Sequence, residues 1–442
     1  MPAAHRGRSG NHLIIVDSAL ARRAAEERPI QFGMFGAGFM GRGILNQMRH
    51  LEGIRCAAVC NRTIESAIEA VRASGANAEV VSSAQHLDDV VARGSVGVTD
   101  DPAVLCKSDV LECVVEATGN VEYGAVVSNL AIENRKHVVL MNAELDGTVG
   151  PLLKRRADNA GVIITGCDGD QPAVQLNLYR SVRSFGLEPL LCGNIKGLQD
   201  RYRNPTTQKS FAREWGQTPS MVTSFADGTK ISFEQAIVAN ATGMQVAERG
   251  MIGMEYEGHV DDLVDRYDID RLRELGGIVE YVVGPAPSPG VYLLAEAKDE
   301  VQALYLRYGK LGDGPLYSFY VPYHLTVLEA PLTVARVVEF HDAAIAPKGG
   351  PVGDVITTAK EDLRAGDTLD GLGGYKTYGL CENYEVVRSE GLLPIGLSEG
   401  SVLRRDIQRD QVVRTRDVDY PHGTTIHTLR EEQDALFLPV AT

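Results

Sequence analysis

The chain has 442 residues, of which 44% are hydrophobic and 23% charged. This is ordinary globular composition, with room for two or three domains. A formal net charge of −15 argues against a general nucleic-acid or anionic-membrane binder, and no apolar run is long enough to span a bilayer. Seven cysteines without metal-ligand or disulfide spacing, and no secretory signal, are expected of a cytoplasmic protein.

Residues 1–10 are small and basic and read as an unstructured lead; 17–27 read as a polar helix. An apolar run at 30–35 then enters Gly36-Ala37-Gly38-Phe39-Met40-Gly41, and a helical pattern follows at 43–48. Strand, Gly-x-Gly-x-x-Gly turn and helix, in that order, make the phosphate cradle of a dinucleotide fold. The first glycine permits the tight turn, the second lets a pyrophosphate approach the backbone, and the third lets helix and strand pack closely. Free amides and the positive dipole end at the helix start favour the diphosphate. Cofactor contacts are therefore expected at Gly36, Gly38, Phe39, Met40 and Gly41. A second strand is predicted at 55–60, where NAD-preferring sites end in an acidic residue for the ribose 2′-hydroxyl. Here Cys60-Asn61-Arg62-Thr63 carries no carboxylate. Arg62 can pair with a 2′-phosphate and Asn61 can donate to it, which favours NADP(H) over NAD(H).

Further strands are predicted at 110–116, 137–141 and 162–166, with helices at 63–74, 123–134 and 148–159 and a small helix in the insert 75–97. Strands alternating with helices of this length predict a doubly wound parallel sheet, a Rossmann domain over 28–166 behind the lead and helix of 1–27. Ligands in such sheets lie beyond the carboxyl ends of the strands. That rule adds Ala117-Thr118-Gly119, at the nicotinamide end, and Asn142-Ala143-Glu144. Residues 167–347 are expected to form an α+β catalytic and dimerisation domain, with strands at 221–226, 231–238, 279–284, 291–296 and 316–321 and a hairpin turn at Asp227-Gly228. The tail, 348–442, is turn-rich. Within it 359–369 and 403–413 echo one another, each with a basic residue, an aspartate, an aliphatic residue and a polar turn, which suggests a small β-rich domain of two similar units.

Hydride transfer to a carbonyl requires a group that orients the carbonyl, polarises its oxygen and supplies a proton, and lysine suits these tasks. Lys196 is the candidate, in a glycine-bearing loop expected after the short apolar run 190–192. Arg201 and Arg203, further along, can clamp a phosphate or carboxylate. In Gly166-Cys167-Asp168-Gly169-Asp170-Gln171-Pro172, Asp170 fits a helix N-cap ahead of an early proline. Alternatively Asp168 and Asp170 face the cleft with Glu144, where carboxylates would bind substrate hydroxyls or admit a divalent ion; no metal ligand is assigned. Tyr323 and His324 join a strand to a helix and could reach a ligand, His324 as a proton shuttle.

The glycine turn, Ala117-Thr118-Gly119 and Met141-Asn142-Ala143-Glu144 together resemble the homoserine dehydrogenase-like oxidoreductases. Gly169-Asp170-Gln171-Pro172, Ser288-Pro289-Gly290-Val291, Gly314-Pro315-Leu316-Tyr317 and the long segment 322–336 resemble the deoxyxylulose-phosphate reductoisomerase-like (DRL) proteins, which have such a body and a C-terminal SAF domain. The Asp-Leu-x-x-Gly unit at 362–366 is similar to SAF β-clips. The resemblance implies a homodimeric NADPH enzyme of isoprenoid-precursor synthesis, isomerising and reducing 1-deoxy-D-xylulose 5-phosphate to 2-C-methyl-D-erythritol 4-phosphate. Related sequences serve other polyhydroxylated substrates. Glu144 stands where homoserine dehydrogenases carry the lysine of Thr-Ala-Asn-Lys, so homoserine is not the expected substrate. The expectation is an NADP(H)-dependent oxidoreductase with Lys196, Glu144 and Asp168 catalytic and Arg201, Arg203, Tyr323 and His324 on the substrate. The alternatives are a dehydrogenase of sugar-acid catabolism or secondary metabolism, and a non-catalytic dinucleotide-binding sensor or scaffold.

Overall fold

The computed structural model describes residues 15–437; the predicted lead at 1–10 and the end of the tail lie outside the described residues. Helix α1 (Ile15–Ala25) leads into β1 (Ile30–Phe35). The chain then alternates through α2 (Phe39–Gln47), β2 (Ile54–Cys60), α3 (Ile64–Ala73), β3 (Ala78–Val80), α4 (Ala84–Ala92), β4 (Val96–Thr99), α5 (Pro102–Lys107), β5 (Cys113–Glu116), α6 (Val121–Glu133), β6 (His137–Leu140), α7 (Ala143–Ala160) and β7 (Ile164–Gly166). The seven strands form one parallel sheet in the order β3-β4-β2-β1-β5-β6-β7. β1, β2 and β5 are buried almost throughout, as strands covered by helices on both faces must be. The insert at 75–97 holds the expected helix, α4, and also the short strands β3 and β4, which the pattern did not reveal.

The register aligns the carboxyl ends. Phe35 pairs with Cys60 on one side and Glu116 on the other, and Glu116 pairs with Leu140. Gly36, Asn61, Ala117 and Met141 therefore emerge side by side, with the order of the sheet reversing between β1 and β5. A crevice opens at such a switch point.

The second part comprises α8 (Gln171–Ser184), β8 (Glu188–Lys196), α9 (Lys209–Trp215), α10 (Pro219–Ala226), α11 (Thr229–Thr242), β9 (Gln245–Val246), β10 (Met254–Glu255), α12 (Ile269–Glu274), β11 (Ile278–Val283), β12 (Gly290–Glu296), α13 (Glu300–Tyr308), β13 (Leu316–Val321) and α14 (Thr326–Phe340). Its mixed sheet runs β10-β11-β8-β12-β13, with β9 also on β11. Four expectations are corrected here. The predicted strand 221–226 is helix α10, which starts at Pro219 behind the Thr218 hydroxyl that accepts from the Met221 amide. The predicted strand 231–238 is the middle of helix α11, buried at nearly every position, so no helical stripe betrays it. Asp227-Gly228 is accordingly a helix-to-helix turn and not a hairpin: Asp227 accepts from the Thr229 amide, and Gly228 takes φ 90°. The apolar run at 190–192 is part of a longer strand, so Lys196 closes β8 where a loop was expected.

The tail holds β14 (Gly353–Ala359), β15 (Thr377–Asn383), α15 (Tyr384–Glu390), β16 (Val402–Leu403), β17 (Val418–Asp419) and α16 (Thr425–Leu436). The sequence echo is physical. Leu363 and Ile407 exchange amide-to-carbonyl bonds of 2.8 and 3.0 Å. The Asp362 carboxylate accepts from the Arg409 amide at 2.9 Å, and its counterpart Asp406 accepts from the Ala365 amide at 2.9 Å. Gly366 and Asp410, again equivalent positions, both turn with positive φ. Two like units thus face each other about a local two-fold.

Cores are shared between the parts. Ala330, Val334 and Val337 of α14 pack with Phe32, Ile44 and Val139 of the first sheet and its helix α2. Leu363, Ile407 and Leu429 of the tail join Ala125 and Leu152 of α6 and α7. Val355 and Cys381 of β14 and β15 join Phe233 and Ala236 of α11. All seven cysteines are buried free thiols.

Candidate active site

The cradle after β1 is built as its glycines suggest. Gly36 takes φ 101°, and a methyl added there would lie 2.8 Å from the Ala117 carbonyl oxygen. A methyl on Gly41 would lie 2.4 Å from the Gly36 carbonyl oxygen, whereas one on Gly38 would meet nothing within 4 Å. The outer and inner glycines allow close packing; the middle one leaves open space in front of the first amides of α2. Those are the features a diphosphate needs. Asn61 Oδ1 accepts from the Ala37 amide at 3.1 Å and Asn61 Nδ2 donates to the Thr63 carbonyl, so this side chain braces the turn. Arg62 beside it is exposed and has no protein partner among the described residues. Across the switch point, Thr118 donates its amide at 2.9 Å, and its hydroxyl, to the buried Glu116 carboxyl, whose acidity burial weakens. Gly119 is exposed, and Asn142 caps α7 by accepting from the Leu145 amide at 3.1 Å.

Beyond these strand ends lies a cluster of charged side chains. Lys230 and Glu234 stand one turn apart on α11. The Lys230 ammonium pairs with Glu144, in the first turn of α7, at 3.3 Å. Burial alone would depress its pKa; the charges of Glu144, Asp170 and Glu234 outweigh that and raise it. Lys196 Nζ donates to Gln171 Oε1 at 3.1 Å and lies 3.5 Å from Glu234 Oε2. Asn194 Nδ2 donates to the same Glu234 oxygen at 2.7 Å, and Gln171 Nε2 donates to Asn194 Oδ1 at 2.5 Å. Asp170 sits at the N-cap position of α8, but its side chain accepts no capping bond. Burial raises its pKa, opposed by the charges of Lys230 and His324. His324 is lowered by burial and by Lys196, with Asp170 opposing, and its Nδ1 is buried without a hydrogen-bond partner. Two ammoniums, three carboxyl groups and an imidazole thus interact across α7, α8, β8, α11 and the start of α14. Such a site can hold negative charge on a substrate oxygen and exchange a proton with it.

Residues 169–330 match the family model described as the catalytic domain of oxidoreductase DRL. That segment carries Asp170, Lys196, Lys230, Glu234 and His324. The match marks the chain as an oxidoreductase. No curated protein matches it. Similar solved structures include an amine dehydrogenase from Mycobacterium smegmatis, 13% identical over 72% of this chain and 94% of that one, with a TM-score of 0.39. Another is scyllo-inositol dehydrogenase from Lactobacillus casei with NAD(H) and scyllo-inositol bound, 10% identical over 66% and 76%, TM-score 0.37. A third is DOX-P reductoisomerase in complex with magnesium, 12% identical over 71% and 70%, TM-score 0.39. At these scores the likenesses carry no argument for chemistry.

In this oxidoreductase, the residues singled out from the sequence divide into two groups. Glu144, Lys196 and His324 enter the cluster. Asp168 does not: its carboxylate accepts from Asn177 at 2.7 Å, Thr333 at 3.0 Å and Arg336 at 3.1 Å, which ties the loop before α8 to α14. Arg201 and Arg203 also stay outside. Arg201 stacks 5.7 Å from the ring of Tyr378 in the tail, and Arg203 pairs with Asp200 at 3.0 Å. Tyr323 is 54% exposed next to the cluster. Glu144, Asp168 and Asp170 therefore do not converge, and among the described residues no three His, Cys, Asp or Glu side chains are gathered to hold a metal ion. Nor is any described helix long and apolar enough to cross a membrane. Sequence reasoning missed Lys230, Glu234, Asn194 and Gln171. The available signal was the Lys-x-x-x-Glu spacing on a helix, hidden once that stretch was read as a strand.

Proposed function

We propose that this oxidoreductase uses NADP(H) to interconvert a carbonyl and an alcohol on a small polyhydroxylated, in some cases phosphorylated, substrate of the kind 1-deoxy-D-xylulose 5-phosphate represents. The observation that carries the reading is the pair of ammoniums, Lys196 and Lys230, set among Glu144, Asp170 and Glu234 at the carboxyl-end crevice. The glycine turn and the start of α2 would hold the dinucleotide diphosphate, Arg62 would take the 2′-phosphate, and Thr118 and Gly119 would flank the nicotinamide, which supplies or accepts the hydride when bound. Lys230, its pKa raised, keeps its proton and serves as a fixed positive charge for an alkoxide-like oxygen. Lys196, less tightly paired and next to the imidazole of His324, gives or takes the proton at Nζ. Glu144 and Glu234 fix the two ammoniums and accept from substrate hydroxyls.

The remaining family features are part of the same reading. The two-fold tail serves as an SAF-type unit, and the protein works as a homodimer. The exposed stripe Val301, Leu304, Tyr305 and Tyr308 on α13, a helix without a buried residue, supports the second point. The test is NADPH oxidation over a panel of keto-sugars and their phosphates. Lys196→Ala should lower kcat by about 10²–10⁴-fold while NADPH affinity holds. Undiminished turnover in that variant removes Lys196 from the reaction.

A further inference from the structure

Lys360 follows β14 in the tail, and its ammonium is buried at the junction with the second part of the molecule. All three of its donors are used: Asp227 Oδ2 at 2.9 Å, the Arg203 carbonyl at 2.8 Å and the Gly374 carbonyl at 2.9 Å. Asp227 is the first of the two residues between α10 and α11, and its other oxygen accepts from the Thr229 amide at 2.9 Å, immediately before Lys230. Arg203 lies on the segment that leaves β8 directly after Lys196. That segment is bonded to the same junction a second time, from the Asp200 amide to the Ala226 carbonyl at 2.8 Å. The tail also grips the first turn of α11 through the Gly379 amide, which donates to Thr229 Oγ1 at 2.9 Å, and the Gly379 carbonyl, which accepts from Ser232 Oγ at 3.2 Å. One ammonium from the C-terminal unit therefore joins the two backbone segments that present Lys196 and Lys230.

We infer that Lys360 is a positioning residue, through which the C-terminal unit sets the placement of the two active-site lysines. This rests on the function proposed above. A full set of hydrogen bonds on a buried charge leaves it one geometry, which makes it a rigid tie and not a solvated contact. Neither partner of the Lys360–Asp227 pair reaches the glycine cradle, so coenzyme affinity does not depend on the tie.

The experiment compares the wild-type protein with the charge-neutral double variant Asp227→Asn/Lys360→Met, which avoids stranding one buried charge, and with Lys360→Arg. Hydrogen exchange is followed by peptide, NADPH is titrated, and turnover is measured on the panel compound that the wild type reduces fastest. The double variant should exchange at least about tenfold faster in 197–204 and 227–234 while 36–41 is unchanged. Its kcat should fall by at least about tenfold at unaltered NADPH affinity, with Lys360→Arg in between. Unchanged exchange and kcat in the folded double variant would overturn the inference. So would a uniform loss of protection with loss of NADPH binding, which is the signature of a general fold contribution. Wild-type turnover in Lys196→Ala alongside loosened loops in the double variant would instead count against the proposed chemistry and leave the tie standing.

Discussion

Asp146 shows how a single side chain sets a pH dependence. It is buried in the first turn of α7, where its charge suits the helix dipole, but among the described residues it accepts no hydrogen bond. Desolvation, with the charge of Asp170 adding to it, pushes its pKa up to about 7. The unfolded chain releases this proton near the usual carboxylate value of about 4. Between about pH 4 and 7 the native state therefore binds more protons than the unfolded state, and stability falls as pH rises through that window. The full effect is on the order of 4 kcal/mol. Asp146→Asn removes the titration. Its stability relative to wild type should rise steadily from about pH 4.5 to 7.5 in urea denaturation. Parallel pH profiles for the two proteins would refute the assignment. Residues of this kind were only partly legible in the sequence. Glu144 is legible because it lies just past a strand end, where the parallel-sheet rule places ligands, and Lys196 because a lysine between apolar and glycine residues suits carbonyl chemistry. Asp168 lies in such a place too, and was claimed instead by Thr333 and Arg336, far along the chain. No local pattern announces which partner a loop carboxylate will meet.

At the scale of the element, the turn from β1 into α2 separates packing from binding within six residues. Gly41 faces the Gly36 carbonyl, so Gly41→Ala forces a methyl to 2.4 Å from backbone oxygen and should cost about 1–3 kcal/mol. Gly38 has φ −77° and ψ −161°, a conformation alanine adopts freely, and open space in front of it. Gly38→Ala should therefore change stability by less than about 0.5 kcal/mol. Its methyl would still stand where the diphosphate approaches, so NADPH affinity should drop by at least about tenfold in calorimetric titration. A Gly38→Ala protein that binds NADPH as tightly as the wild type would rule out this cradle. The turn was legible because its chemistry is local: each glycine answers a constraint set within a few residues. The same holds for β1, β2 and β5, whose largely apolar runs mark strands covered on both faces. α10 and α11 were not legible. Their β-branched, apolar stretches fit either a strand or a fully buried helix, and the choice is made by tertiary surroundings, here the mixed sheet on one side of α11 and β14–β15 on the other.

At the scale of the whole molecule, charges are buried where its parts meet, and Arg430 is one of them. It sits on α16, 4% exposed, and its guanidinium donates to Asp354 of β14 at 2.6 Å, to Asp434 at 2.9 Å and to the Thr148 carbonyl of α7 at 3.3 Å. Gln433, one turn further along, accepts from the Leu152 amide and donates to the Thr148 carbonyl. The last helix thus fastens the tail to the long helix whose first turn presents Glu144. The two-fold echo in the tail was visible as a sequence pattern because both copies carry the same turn chemistry. Where the pair docks was not visible, since that depends on partners hundreds of positions away. Arg430→Met leaves Asp354, 2% exposed, without its counter-charge, and should cost about 3–5 kcal/mol. Asp354→Asn/Arg430→Met takes away both charges and should recover most of that loss, because an ion pair at such depth gives little net stability against a neutral pair of similar volume. Chemical denaturation of the three proteins at one pH decides the matter. If the double variant is as unstable as Arg430→Met alone, the single-variant loss comes from the missing contact of the guanidinium with the Tyr384 ring, and the charge pair is not what fastens the tail.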